Sequence, residues 1–123
     1  MSATIGRQPC TLNLKLYRGD DLKFLFKLYR DADRTTLADM STWHASLTIR
    51  DPETGTILDT LSDADNITLL DASGDHNMEI TFTKTRTDSY AWSVGEYDLS
   101  FETDAGDTFT QFRGVILVSQ DVR

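Results

Sequence analysis

An all-β fold of two packed sheets is what this sequence predicts, on three observations. Apolar side chains recur at every second position in one segment after another. These segments arrive at roughly 8–12-residue spacing, which suits short antiparallel strands. Gly, Pro, Asp and Asn gather between them, where turns need their backbone freedom or their side-chain acceptors. Together they describe an antiparallel two-sheet β-sandwich of about 7–9 strands, with one short helical turn near 84–92.

The clearest element is a hairpin over 94–118. Tyr97, Leu99 and Phe101 alternate with Asp98, Ser100 and Glu102, so one row is buried and the other meets water. Asp104-Ala-Gly-Asp107 supplies the turn, and the chain returns through Phe109 and Phe112 to the apolar run Val115–Val118. Earlier in the chain, Thr11–Tyr17 sends Leu12, Leu14 and Leu16 inward as a first strand, and residues 18–21 turn. Residues 21–30 follow with Leu22, Phe24, Phe26 and Leu28 on one face. Leu25 and Tyr29 share the other face with Lys23 and Lys27, an outer apolar stripe that marks them as possible interface residues. Residues 31–42 form a polar connection and a bridge to the next strand. That strand, Trp43–Arg50, buries Trp43, Ala45, Leu47 and Ile49, turns at Asp51–Gly55 and pairs with 56–61. Segments 67–70 and 78–83 form another pair. Residues 84–92 break the alternation without Gly or Pro and read as a helical turn, with Tyr90 or Trp92 as an apolar plug. The sandwich is Ig-like in architecture only, because one cysteine cannot supply a Cys-Trp-Cys signature.

A chain of 123 residues, 39% hydrophobic and 26% charged, is one globular domain. Its expected parts are a flexible N-terminal arm over 1–10, the sandwich over 11–119 and a short tail over 120–123. No apolar run approaches the roughly 20 residues a spanning helix needs, so no membrane is expected. The N-terminus lacks a signal-peptide core, and the single Cys10 fits folding in a reducing cytoplasm. A net charge of −8 argues against nucleic acid as a partner. The charge is uneven: residues 1–50 hold eight Lys or Arg against five Asp, and 51–123 hold four against fifteen acids. That split would polarise the surface if the two halves stay apart, and would cancel if their strands interleave.

Catalytic and cofactor signatures are missing, so no enzyme and no cofactor are expected. His44 lies on the polar phase of its strand and His76 in a distant turn, and Cys10 has no nearby histidine, so neither zinc nor thiol chemistry is indicated. Asp63, Asp65, Asn66, Asp71 and Asp75 put oxygen donors in the loops over 63–77, but without an EF-hand's terminal Glu. They equally serve as turn residues, which leaves a weak calcium site open. No Gly-x-Ser-x-Gly elbow or phosphate-cradling loop occurs. Trp43, Tyr90, Trp92, Tyr29 and Tyr17 are candidates for stacking on sugars, against the alternative that most are core.

Three features in order carry a resemblance: Arg18-Gly-Asp-Asp-Leu-Lys-Phe24, Leu47-Thr-Ile-Arg-Asp-Pro-Glu-Thr-Gly55, and a helical turn leading into Gly95-Glu-Tyr-Asp-Leu99 with Gly114–Val118 last. Over roughly 11–118 the chain resembles small Ig-like β-sandwich domains of tailed-bacteriophage structural proteins, such as tail-fibre collar proteins and N-terminal domains of baseplate assemblies. The resemblance implies a virion structural protein (tail, collar, neck or baseplate adaptor), made in the host cytoplasm. It would act as a homo-oligomeric ring docked to another virion protein. A carbohydrate-binding or host-surface adhesion module is the alternative.

Overall fold

The computed structural model describes residues 2–5 and 9–120. Ten strands and one helix follow in chain order: β1 (Ser2–Thr4), β2 (Cys10–Thr11), β3 (Leu14–Tyr17), β4 (Leu22–Tyr29), β5 (His44–Arg50), β6 (Ile57–Ser62), β7 (Ile67–Leu69), β8 (Met78–Phe82), α1 (Lys84–Ser89), β9 (Val94–Glu102) and β10 (Thr108–Ser119). One sheet has the order β1-β4-β8-β7. The other runs β2-β10-β9-β5-β6, with β3 also pairing β10. The expected all-β, Ig-like two-sheet sandwich is the fold observed.

The alternation in the sequence becomes the core directly. Phe26 and Leu28 of β4, Leu47 and Ile49 of β5, Ile80 and Phe82 of β8, and Leu99 and Phe101 of β9 are buried, all at spacing two. The long hairpin forms as predicted: Phe101 pairs Phe109 and Val94 pairs Leu117, with Gly106 at φ +88° in its turn. Phe109 and Phe112 are an odd number of residues apart, so both can face inward only if the register shifts between them. A β-bulge between Thr110 and Phe112 supplies the shift and buries Gln111, whose Nε2 donates to the Thr4 carbonyl at 3.3 Å.

The N-terminal third departs from expectation. The predicted first strand is two, β2 and β3, both parallel to β10. Between them Leu12 packs against the core but stays half-buried, and Asn13 Oδ1 accepts the Val115 N–H at 3.0 Å in place of a strand partner. Here the chain lies so close to Gly114 that a Cβ there would sit 2.2 Å from the Leu12 carbonyl oxygen. Tyr97 also donates its hydroxyl to that carbonyl. The arm expected over 1–10 holds a strand in its described part. Residues 2–4 pair parallel to 27–29 of β4, and Ala3 is wholly buried. Residues 1, 6–8 and 121–123, the rest of the arm and most of the tail, lie outside the described residues.

Pairing of β4 with β8 ends at Phe26–Met78, yet β4 continues for three residues. Asn77 carries the ladder on with its side chain. Its Oδ1 accepts the Leu28 N–H at 2.8 Å and its Nδ2 donates to the Leu28 carbonyl at 2.8 Å. The same Nδ2 also donates to the Ala38 carbonyl at 2.8 Å, tying in the segment that leads to β5. Asn77 is fully buried. The Leu28 carbonyl also accepts the Ala38 N–H at 2.8 Å, so Asn77→Ala strands the Leu28 N–H and the Ala38 carbonyl in the core, and is expected to cost about 3 kcal/mol, by the penalty for unmet buried polar groups. Urea unfolding, with an unchanged m-value, is the measurement.

Candidate interaction surface

The residues singled out on β4 do not make a continuous stripe. Leu25 is 46% exposed beside Glu79 of β8, whereas Tyr29 is half-buried between Thr4 of β1 and Leu37 of the following loop. On the opposite sheet a better-defined pair stands out. Val94 and Leu117 are cross-strand partners on the outer face, and each is 43% exposed. Lys15 of β3 is the next residue in that row. Ile57, at 56% exposure, begins the edge strand β6.

Charges do not divide between faces. Arg50 of β5 reaches Asp98 of β9 at 3.6 Å, and Lys23 of β4 reaches Glu79 of β8 at 3.5 Å, each pair joining the basic half of the chain to the acidic half. Interleaved strands cancel the polarity that the sequence halves carry.

One polar cluster is partly dry. Thr83 caps α1 by accepting the Arg86 N–H, which sends the Arg86 side chain toward β6 and the turn after it. There Nη1 meets Asp59 Oδ2 at 2.6 Å, and Nη2 meets Asp65 Oδ2 at 2.9 Å and Asn66 Oδ1 at 2.8 Å. Tyr90 donates its hydroxyl to the same Asp59 oxygen at 2.6 Å. Burial, and then the Asp59 charge, push the Tyr90 phenol well above its ordinary range. Burial alone would weaken the Arg86 charge, but the Asp59 hydrogen bond and charge outweigh it and hold the guanidinium protonated. Tyr90 stacks on Trp92 with centroids 4.7 Å apart, and both plug this end of the sandwich. Leu58, Asp59, Thr85, Arg86, Tyr90 and Trp92 line a shallow groove of about 490 Å³ beside it.

The aromatic candidates for sugar binding do not converge. Trp43 packs against Phe101 and Phe109 near the end of β9, while Trp92 lies two residues before its start. The Trp92 ring lies against Gly95 and the Trp43 ring beside Phe101, so six residues of strand, roughly 20 Å, separate them. Tyr17 lies half-buried on β3 with the Lys15 ammonium 5.4 Å from its ring centroid.

The acidic loops bind their own chain. Asp63 accepts from His44 at 2.9 Å and from the Ala45 N–H at 2.9 Å, Asp65 and Asn66 hold Arg86, and Asp71 accepts from Ser73. Among the described residues no group of three or more His, Cys, Asp or Glu is placed to hold a metal ion. His76 sits between two carboxylates, with Nε2 2.7 Å from Glu79 and Nδ1 3.0 Å from Asp75. Only the imidazolium can donate to both, so Glu79, and then Asp75, raise its pKa. His44 is raised likewise by Asp63. Sequence reasoning missed Arg86, Asn77 and Gln111; the break in alternation at 84–92 was the one visible sign of the first.

No family model matches the chain, and no curated protein matches it. Among solved structures, fibronectin(III)-like modules of Clostridium thermocellum CbhA are similar at 12% identity, covering 97% of this chain and 98% of that one, with a TM-score of 0.41. Murine CRIg matches at 6% identity over 89% and 92% of the two chains, with a TM-score of 0.40. Extracellular domains 3–5 of Drosophila OTK match at 14% identity over 86% of this chain and 32% of theirs, with a TM-score of 0.39.

Two outcomes are expected from this geometry. The raised histidines contribute stability that is complete below their unfolded pKa of about 6.5 and is lost as pH rises through the higher folded values. The carboxylates of Asp31, Asp71, Asp75 and Glu79 are lowered by hydrogen bonds from Thr35, Ser73, His76 and His76 respectively, and their contribution is lost as pH falls below about 4. Melting temperature should therefore peak between about pH 4.5 and 6.5, and the decline above pH 6.5 should flatten in H44Q/H76Q. Arg86→Met should cost about 2 kcal/mol in urea unfolding, because it leaves Asp59 half-buried without its cation. Lys23→Met, at a largely exposed pair, should cost under about 0.5 kcal/mol.

Proposed function

We propose that this chain is a non-enzymatic assembly module, and that it belongs to the virion of a tailed bacteriophage as a tail, collar, neck or baseplate adaptor protein. The observation that carries the reading is the Val94–Leu117 pair, two large apolar side chains set side by side on the outer face of the larger sheet. Water contact with such a pair is unfavourable by roughly 25 cal/mol per Å² of apolar surface, and a neighbouring protein removes it. Leu25 gives the opposite sheet a second, smaller apolar point. Contacts on both faces of a flat sandwich suit a subunit held between neighbours, as a ring requires. The sequence resemblance to collar and baseplate sandwiches supplies the biological setting.

A second reading, glycan binding, is favoured by one feature: the groove beside Trp92, where an aromatic ring adjoins the Asp59 and Arg86 polar groups. Both readings are separated by electron microscopy and sedimentation of the purified protein, with a glycan array on the same sample. The assembly reading expects closed rings or discrete oligomers. Leu117→Asp should dissolve them without lowering the melting temperature by more than a few degrees. A strict monomer at high concentration that binds a glycan, and loses it in Trp92→Ala, would replace assembly with recognition.

A further inference from the structure

The outer face of the larger sheet carries a pattern that complements itself. Three of the four large apolar side chains exposed among the described residues, Ile57, Val94 and Leu117, lie on it. Outward residues fall in rows across the strands. One row sets Val94 of β9 beside Leu117 of β10 and Lys15 of β3. Two rows further along β9, Asp98 stands beside Arg113 of β10. Arg113 is exposed and makes no ion pair among the described residues. Its neighbour Asp98 turns the other way, to Arg50 at 3.6 Å, and both members of that pair stay about half exposed. The cation on β10 is thus left to be met from outside the chain.

On this face β9 and β10 carry complementary residues row by row, apolar with apolar and acid with base. A second copy can therefore lie face to face, about a two-fold axis along the strands and midway between β9 and β10. Strand β9 of each copy then lies over β10 of the other. Val94 meets Leu117 of the second copy, Asp98 meets its Arg113, and both contacts occur twice. Glu96, one row from Asp98 on β9, adds a second carboxylate near that guanidinium. Aligned stacking of this kind is an ordinary way for two sheets to pack. A two-fold axis across the strands, through the Val94 row, would instead set Lys15 against Lys15, which like charges oppose. Five strands roughly 4.8 Å apart, with four outward rows roughly 6.7 Å apart, offer roughly 600 Å² on each copy. Two copies then bury roughly 1,200 Å², where specific interfaces begin.

We propose that this face binds a second copy of the chain about that axis, with Val94 on Leu117 and Asp98 on Arg113. This rests on the assembly reading above and names its first contact, leaving Leu25 on the opposite sheet for a further neighbour. The test exchanges the charges. D98R alone and R113D alone each bring like charges together at both places, so each should self-associate roughly tenfold more weakly or worse by sedimentation. Mixed, they face each other with opposite charges, so tagged D98R should retain untagged R113D and not untagged D98R. A second measurement uses position alone. Thr48 of β5 and Thr11 of β2 share the Asp98 row, and the axis lays each over the other in the second copy. T48C and T11C, each also carrying C10S, should cross-link as a mixture through a bismaleimide of roughly 10 Å, the gap between stacked sheets. Should a charge variant not fold, the cross-link decides alone. Oligomers with equal retention of both untagged variants, or a mixture that cross-links no better than T48C or T11C by itself, overturn the pairing and leave assembly standing. An unaltered chain that is monomeric at every concentration removes both readings.

Discussion

The sandwich depends on a rule about main-chain polar groups: any that enters the dry interior must find a partner there. Hydrophobic rows bring the sheets together, but strands of unequal length leave N–H and C=O groups stranded where a neighbour stops. This chain meets the rule with buried side-chain amides at two such places, and uses a third amide in the same way at an exposed one. Asn77 takes over from β8 beside Leu28, Asn13 fills the gap between β2 and β3, and Gln111 spans from the bulge in β10 to Thr4. Each is an amide because the missing group is an amide. Among the described residues no buried side-chain nitrogen or oxygen is left without a partner.

These three also explain how the parts of the fold are tied together. Asn77 fixes the 37–40 segment to β4, so the path into β5 is set by the smaller sheet. Gln111 reaches Thr4 from β10, a strand of the larger one, and Asn13 of the N-terminal segment accepts from Val115 of the same strand. Arg86 does the same at the far end, joining α1 to β6 and to the turn that follows. Long-range polar contacts from Gln111 and Arg86 thus add to the apolar core in joining the two layers.

Strand pairs and turns were legible in the sequence because side-chain alternation repeats over many residues. The 94–118 hairpin, the 43–61 hairpin and the 67–83 pair each carry several inward residues in phase. Three residues cannot establish a period, so β1 left no trace, and the segment around Leu12 hid its break because Leu12, Leu14 and Leu16 keep an unbroken beat. Buried polar residues are illegible for another reason. Asn77 and Leu28 are 49 positions apart, and Arg86 and Asp59 are 27 apart, distances over which no local pattern reports a contact. The outer stripe of Leu25 and Tyr29 was read from parity alone, which cannot foresee a loop bridging Tyr29 to Leu37.

The Arg86 cluster also bears on what happens when the protein is crowded. β6 is an outermost strand, the type of margin along which sheets of many molecules fuse into fibrils. At Thr60, however, the carbonyl accepts from Arg86 and the N–H donates to the Asp59 carboxylate, so both groups that a foreign strand would grasp are already taken. With a fixed cation and anion at this point, β6 offers a foreign strand fewer free main-chain groups to pair with.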